Sequence, residues 1–161
     1  GSIQPGSESY IKDKESIENK YISSCFINIV EEPEQNLFPS SQKIMLNSLL
    51  EFNNSTLANK LILTTHSPYI INYLTLAIEA HTLINTCPNK DKAKELVSAI
   101  VPLTSAISGD DLVIYELNDK GEIIKLGNYE GIPSSENYLN AQLAEGNNLF
   151  SDLLEIEDLC Q

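Results

Sequence analysis

The chain has 161 residues, 42% of them hydrophobic, which is enough for one domain with a core of its own. Ten lysines and no arginine stand against 23 acidic residues, a formal charge of -13, so the chain lacks the clustered basic surface that a nucleic-acid backbone requires. No apolar run approaches the roughly 18 residues of a membrane span, and no secretory leader is expected.

The charge is uneven. From Gly121 to Gln161 there are eight acidic residues against one lysine, Lys125. This stretch is either a solvated acidic face or a docking surface for a basic partner. Lys90, Lys92 and Lys94 form the one lysine cluster. Cys25, Cys87 and Cys160 are scattered and form no CxxC pair, which argues against a zinc site or a disulfide framework and for reduced thiols in the cytoplasm.

In chain order, Gly1-Ser2 looks like a cloning remnant. Residues 1–20 read as a polar lead-in, with a short helix over residues 9–20. An ordered portion, residues 21–161, is expected to follow. Phe26-Ile-Asn-Ile-Val30 is a nearly continuous apolar strand, of the kind buried on both faces of a parallel sheet. Pro33 and Pro39 bracket a loop, and Ser40 or Ser41 is placed to cap the next helix. Ile44, Met45, Leu46, Leu49, Leu50 and Phe52 give that helix a broad apolar face, and Asn53-Asn54-Ser55 ends it.

Leu61-Ile-Leu-Thr-Thr65 is a second strand. Ser67 caps a second helix with Pro68 at its first position. Strand, helix, strand and helix in this order predict a βαβ unit with two parallel neighbouring strands. A further helix is expected from Asp91 to Val101, before Pro102. Leu112–Leu117 and Gly121–Leu126 flank Asn118-Asp-Lys-Gly121, a hairpin signature. Ser134-Ser135 opens a final helical region with apolar residues from Tyr138 to Ile156. The fold class is therefore α/β: a parallel βαβ core, a C-terminal β-hairpin and helices.

Ligands of an open parallel sheet bind beyond the carboxyl ends of its strands. Glu31 and Glu32 stand at one such end and His66 at the next. Adjacent carboxylates can divide labour, one helping to hold a hydrated Mg²⁺ and the other accepting a hydrogen bond from an attacking water. A histidine at the neighbouring strand end can steady a terminal phosphate, and phosphoryl transfer needs mainly positioning and charge neutralisation. Taken alone, a Glu-Glu pair after a strand is a solvated loop, and a lone histidine before Ser-Pro is a surface residue. The combination carries more: apolar strand, Glu-Glu-Pro-Glu, helix, second apolar strand, Thr-Thr-His-Ser-Pro.

That combination resembles a family. "INIVEEPEQNLFPSSQ", residues 27–42, is similar to the Walker B and D-loop segment of ABC-type AAA ATPases, the bacterial group related to RecF, SMC and overcoming-lysogenization-defect ATPases. "LILTTHSPYII" resembles their switch-histidine segment, and "DDLVIYELNDKGEIIKLGNYEGIPSSENYLN" their C-terminal part, with weaker motifs.

The resemblance implies a partial P-loop NTPase head that uses ATP and Mg²⁺. It puts Glu31 in the place of the Mg²⁺-side Walker B acid, Glu32 in that of the water-polarising catalytic glutamate and His66 in that of the switch histidine. It puts Gln35 and Asn36, with Leu37, in the D-loop, facing nucleotide held with the opposing subunit of an ATP-sandwich homodimer.

The family's phosphate cradle, G-x-x-x-x-G-K-[ST], is absent from the seven-glycine sequence, and no Q-loop is identifiable. Pro5 to Ser9 offers only a faint likeness to the family's Ser-Gly-Gly-Gln signature, followed by a stretch too polar for the packed helix that normally comes next. A charged insertion ending near residue 20 accounts for it better.

The expectation is therefore a C-terminal half of an ATPase, inactive alone. Its partners would be the missing N-terminal half, a second copy and an effector protein, with no direct nucleic-acid or membrane contact. The alternative is a non-catalytic binding module that docks on a complete ATPase or an effector. A Toprim-type nuclease would need an Asp-x-Asp after a strand, which Asp110-Asp111 does not supply.

Overall fold

The computed structural model describes residues 25–118 and 120–160. The expected lead-in helix and the Pro5–Ser9 stretch lie outside them. The described residues form a mixed α/β fold with a small parallel sheet and four α-helices.

Strand β1 (Ile27–Glu31) runs parallel to β2 (Lys60–Thr64), with Ile29 opposite Ile62 and Glu31 opposite Thr64. Helix α1 (Pro39–Asn54) connects them. The predicted βαβ unit is thus present. Buried Asn59 sets its register from one end. Its Oδ1 accepts from the Phe26 N–H at 2.9 Å, while its Nδ2 donates to the Phe52 carbonyl at the end of α1 at 3.2 Å.

Helix α2 (Pro68–Thr86) packs on α1. The core lies between them: Leu46 and Leu50 of α1 against Ile70, Leu74 and Ala77 of α2, roofed by Leu61 and Leu63 from β2. Helix α3 (Lys90–Ser98) closes a smaller cluster of Ala80, Val97 and Val101. Side chains alternate across a strand, so the residues between the roofing ones point away from the core. Ile27, Ile29 and Ile62 occupy that outer face, and Ile29 is 68% exposed.

Several boundaries differ from expectation. Helix α1 begins at Pro39, with Phe38 as an N-cap that makes no side-chain bond, so neither Ser40 nor Ser41 caps it. Proline presets the φ of a first helical residue and needs no donor there, which moves the start upstream. Ser67 is the N-cap of α2, but its hydroxyl is committed elsewhere and makes no capping bond. Helix α3 ends at Ser98 rather than Val101, after Asn89 caps its start by accepting from the Lys92 N–H at 3.0 Å.

The expected hairpin forms over a shorter span, β3 (Tyr115–Leu117) against β4 (Ile123–Lys125). Gly121 at φ 78° makes its turn. A second hairpin, β5 (Asn128–Tyr129) with β6 (Ile132–Pro133), was not foreseen. It turns through Glu130 and Gly131, both at positive φ, the backbone that two-residue hairpin loops favour.

Helix α4 (Tyr138–Leu159) starts after Asn137, whose Oδ1 accepts from the Asn140 N–H at 3.0 Å. Ser134, expected with Ser135 to open this helix, lies before it, its N–H donating to the Gly127 carbonyl at 2.9 Å. Among the described residues, no helix is long and apolar enough to cross a membrane.

Candidate functional site

The carboxyl ends of β1 and β2 carry the predicted residues. Glu31 is the last residue of β1 and lies on its exposed outer face with Ile27 and Ile29. At Glu32 the chain leaves the strand. Its N–H still donates to the Thr64 carbonyl at 2.9 Å, so the pairing of β1 with β2 runs one residue past the strand. Its φ is 41°, left-handed backbone at a non-glycine residue that directly precedes a proline. Both conditions are unfavourable for an L-residue and persist only where the surroundings impose them.

That bend turns the Glu32 carboxylate toward the end of β2. Its Oε1 lies 3.1 Å from His66 Nε2, and its Oε2 accepts from Gln35 Nε2. The His66 side chain is 82% exposed and that of Glu32 34%, so the pair stands at the rim rather than in the core. The turn is closed by the Gln35 N–H bonding to the Glu32 carbonyl at 3.0 Å, and by Asn36 at φ 59°, a conformation asparagine tolerates well.

Glu32 is therefore in contact with both Gln35 and His66, and Glu31 and Asn36 flank them. Gln35 engages Glu32 of its own chain. Among the described residues, no group of three or more His, Cys, Asp or Glu side chains converges as a metal-binding cluster.

Glu34 belongs to this site and was given no role by sequence reasoning. Its Oε1 accepts from the Thr65 hydroxyl and from the His66 backbone N–H, both at 2.7 Å. Its Oε2 is buried and has no hydrogen-bond partner among the described residues. The Thr65 hydroxyl also accepts from the Ser67 N–H at 3.0 Å. Behind this layer, buried Gln42 donates to the Leu37 carbonyl at 3.0 Å and accepts from the Ser67 hydroxyl at 2.6 Å. The turn after β1 is thus tied to the turn after β2 at two depths.

Chemically, the rim offers a carboxylate beside an imidazole, an arrangement suited to accepting a proton from water and contacting an anionic oxygen. Among its described residues it offers no lysine to hold phosphate.

Residues 7–71 match the family model described as AAA ATPase domain. The match takes in β1, α1, β2 and the first residues of α2, so this part of the chain is an AAA-type ATPase-like region. No curated protein and no solved structure matches the chain.

Proposed function

We propose that this chain supplies the water-activating edge of an ATP-hydrolysing AAA/ABC-type head. The phosphate-gripping Walker A segment would come from outside these 161 residues, from the N-terminal half of such a head. The observation that carries this reading is the contact between Glu32 and His66, 3.1 Å apart at adjacent strand ends within the AAA-like region.

In this reading Glu32 would accept a hydrogen bond from the attacking water and take its proton as the water oxygen bonds to the γ-phosphorus and the bond from that phosphorus to the bridging β-phosphate oxygen breaks, ADP leaving with the bonding pair. The contact with His66 and the bond from Gln35 direct the carboxylate toward the end of β2. His66 is largely exposed and would contact a terminal phosphate oxygen. Gln35 and Asn36 lie in the turn that would face a second copy across the nucleotide.

Glu31 gives a hard carboxylate oxygen at the strand end, which suits Mg²⁺. The lack of a wider cluster among the described residues suits an ion whose remaining ligands are water and phosphate oxygens. When bound, Mg²⁺ would neutralise charge on the phosphates. The triphosphate itself does not fit these residues alone, since Glu31, Glu32 and Glu34 present only negative charge.

The outer sheet face supports the same reading. Parallel sheets are covered on both faces. Here Ile27, Ile29 and Ile62 are exposed, and an N-terminal ATPase half would cover them.

The test is Mg²⁺-dependent ATP binding and turnover, by this chain alone and by a form joined to a G-x-x-x-x-G-K-[ST] segment. The chain alone is expected to do neither. The joined form is expected to hydrolyse ATP and to lose about 10²- to 10⁴-fold in rate on Glu32→Gln, with nucleotide binding retained. Turnover that survives Glu32→Gln would overturn the reading. Binding to a complete ATPase with no contribution to its turnover would favour a non-catalytic docking module instead.

A further inference from the structure

The Glu32–His66 contact joins two turns that belong to different strands, and both side chains reach the solvent. Such a pair does not fix its own geometry, because exposed side chains sample many rotamers and exposed ion pairs are weak. Something more rigid has to set the distance between the two backbones.

Glu34 spans that gap. Its Oε1 receives two donors at 2.7 Å from the turn after β2, the Thr65 hydroxyl and the His66 N–H. Hydrogen bonds to a carboxylate are shorter and stronger than those between neutral groups, and two donors on one oxygen fix direction as well as distance. One of them is the backbone of His66 itself, so the bond acts on the Cα from which the imidazole extends. Pro33 stiffens the link between Glu32 and Glu34 by fixing its own φ.

We propose that Glu34 is a positioning residue: its carboxylate sets the separation of the Glu32 turn and the His66 backbone, and so holds the carboxylate–imidazole pair together. Its significance for catalysis rests on the function proposed above. The buried, unpartnered Oε2 fits this assignment. A carboxyl oxygen placed where no described donor meets it is costly, and the two bonds on Oε1 offset that cost.

The experiment is done on the whole chain by NMR, without nucleotide. Two quantities are read: the hydrogen-exchange rate of the His66 backbone amide, and the shift of the His66 ring resonances caused by Glu32→Gln at fixed pH. Glu34→Ala is expected to speed exchange on the order of tenfold or more and to reduce the ring response to Glu32→Gln by at least about half. Glu34→Gln keeps a side-chain oxygen for the same donors and is expected to preserve both quantities within about twofold to threefold.

The proposal is overturned if Glu34→Ala leaves both quantities unchanged, or if Glu34→Gln loses both as completely as alanine does. Should alanine unfold the chain, Glu34→Gln decides alone, and loss of the ring response in a folded protein overturns the claim. Failure of the functional reading shows differently, as absence of ATP turnover in the joined form while the NMR couplings persist.

Discussion

The Ser67 hydroxyl donates to Gln42 Oε1 at 2.6 Å, joining the start of α2 to the first turns of α1, and both residues are buried. The same amide donates to the Leu37 carbonyl at 3.0 Å. One buried side chain thus satisfies two groups from two different turns. Gln42→Leu leaves the buried Ser67 hydroxyl without its acceptor, which costs about 1–3 kcal/mol, while the exposed Leu37 carbonyl can turn to water. A loss of about 1–3 kcal/mol is expected in urea unfolding, with less than additive loss in the double variant with Ser67→Ala. An additive result would mean the two residues do not act together.

The φ of 41° at Glu32 makes a second expectation. Left-handed backbone costs an L-residue about 1–2 kcal/mol, and most for β-branched side chains. Glycine accepts it freely but has more freedom to lose on folding. Glu32→Gly should therefore leave stability within about 0.5–1 kcal/mol of the parent, while Glu32→Val should cost more than either. Thermal melts of the three proteins check the ranking. A valine variant as stable as the glycine one would deny the strained bend.

Ile29 is 68% exposed on the outer sheet face, beside Ile27 and Ile62. Burying each such side chain would contribute about 1.5–3 kcal/mol, so the face is expected to drive self-association of the chain. Sedimentation velocity across a concentration series should show it. Ile29→Asp should shift the profile to monomer at a stability change within about 1 kcal/mol. A strictly monomeric parent at high concentration would count against this use of the face.

Gly109 and Gly131 touch through their backbones. A Cβ built on Gly109 would lie 2.5 Å from the Gly131 Cα, closer than real Cβ atoms approach. Gly109→Ala must push the β5–β6 turn away, and the overpacking is expected to cost about 1–3 kcal/mol. Gly127→Ala is the control, because its Cβ meets nothing within 4 Å. Calorimetry on both separates steric contact from a general cost of changing glycine.

Much of the site could be read in advance because its signals are local. The apolar run 26–30 ends in Glu31-Glu32-Pro33, and the run 61–65 ends in His66-Ser67-Pro68. A βαβ unit then brings the two ends side by side. The ends of helices were read less well. Pro39 outranked the two serines as a start signal for α1, and α4 starts after Asn137 rather than at Ser134-Ser135. At α1 the preset φ of Pro39 decided between neighbouring candidates, and before α4 Ser134 pairs back to Gly127. The second hairpin had a sequence signal in Glu130-Gly131, but its strands are only two residues each.

The α/β order, the parallel pair of strands and the residues placed at their ends were legible along the chain, because periodicity, proline and strand composition act within a few residues. It took the folded chain to show that Glu34 bonds to the His66 N–H, that Gln42 joins two turns and that Gly109 meets Gly131. Those facts depend on atoms brought together from distant parts of the chain, and no spacing along the sequence encodes which buried donor will find which acceptor.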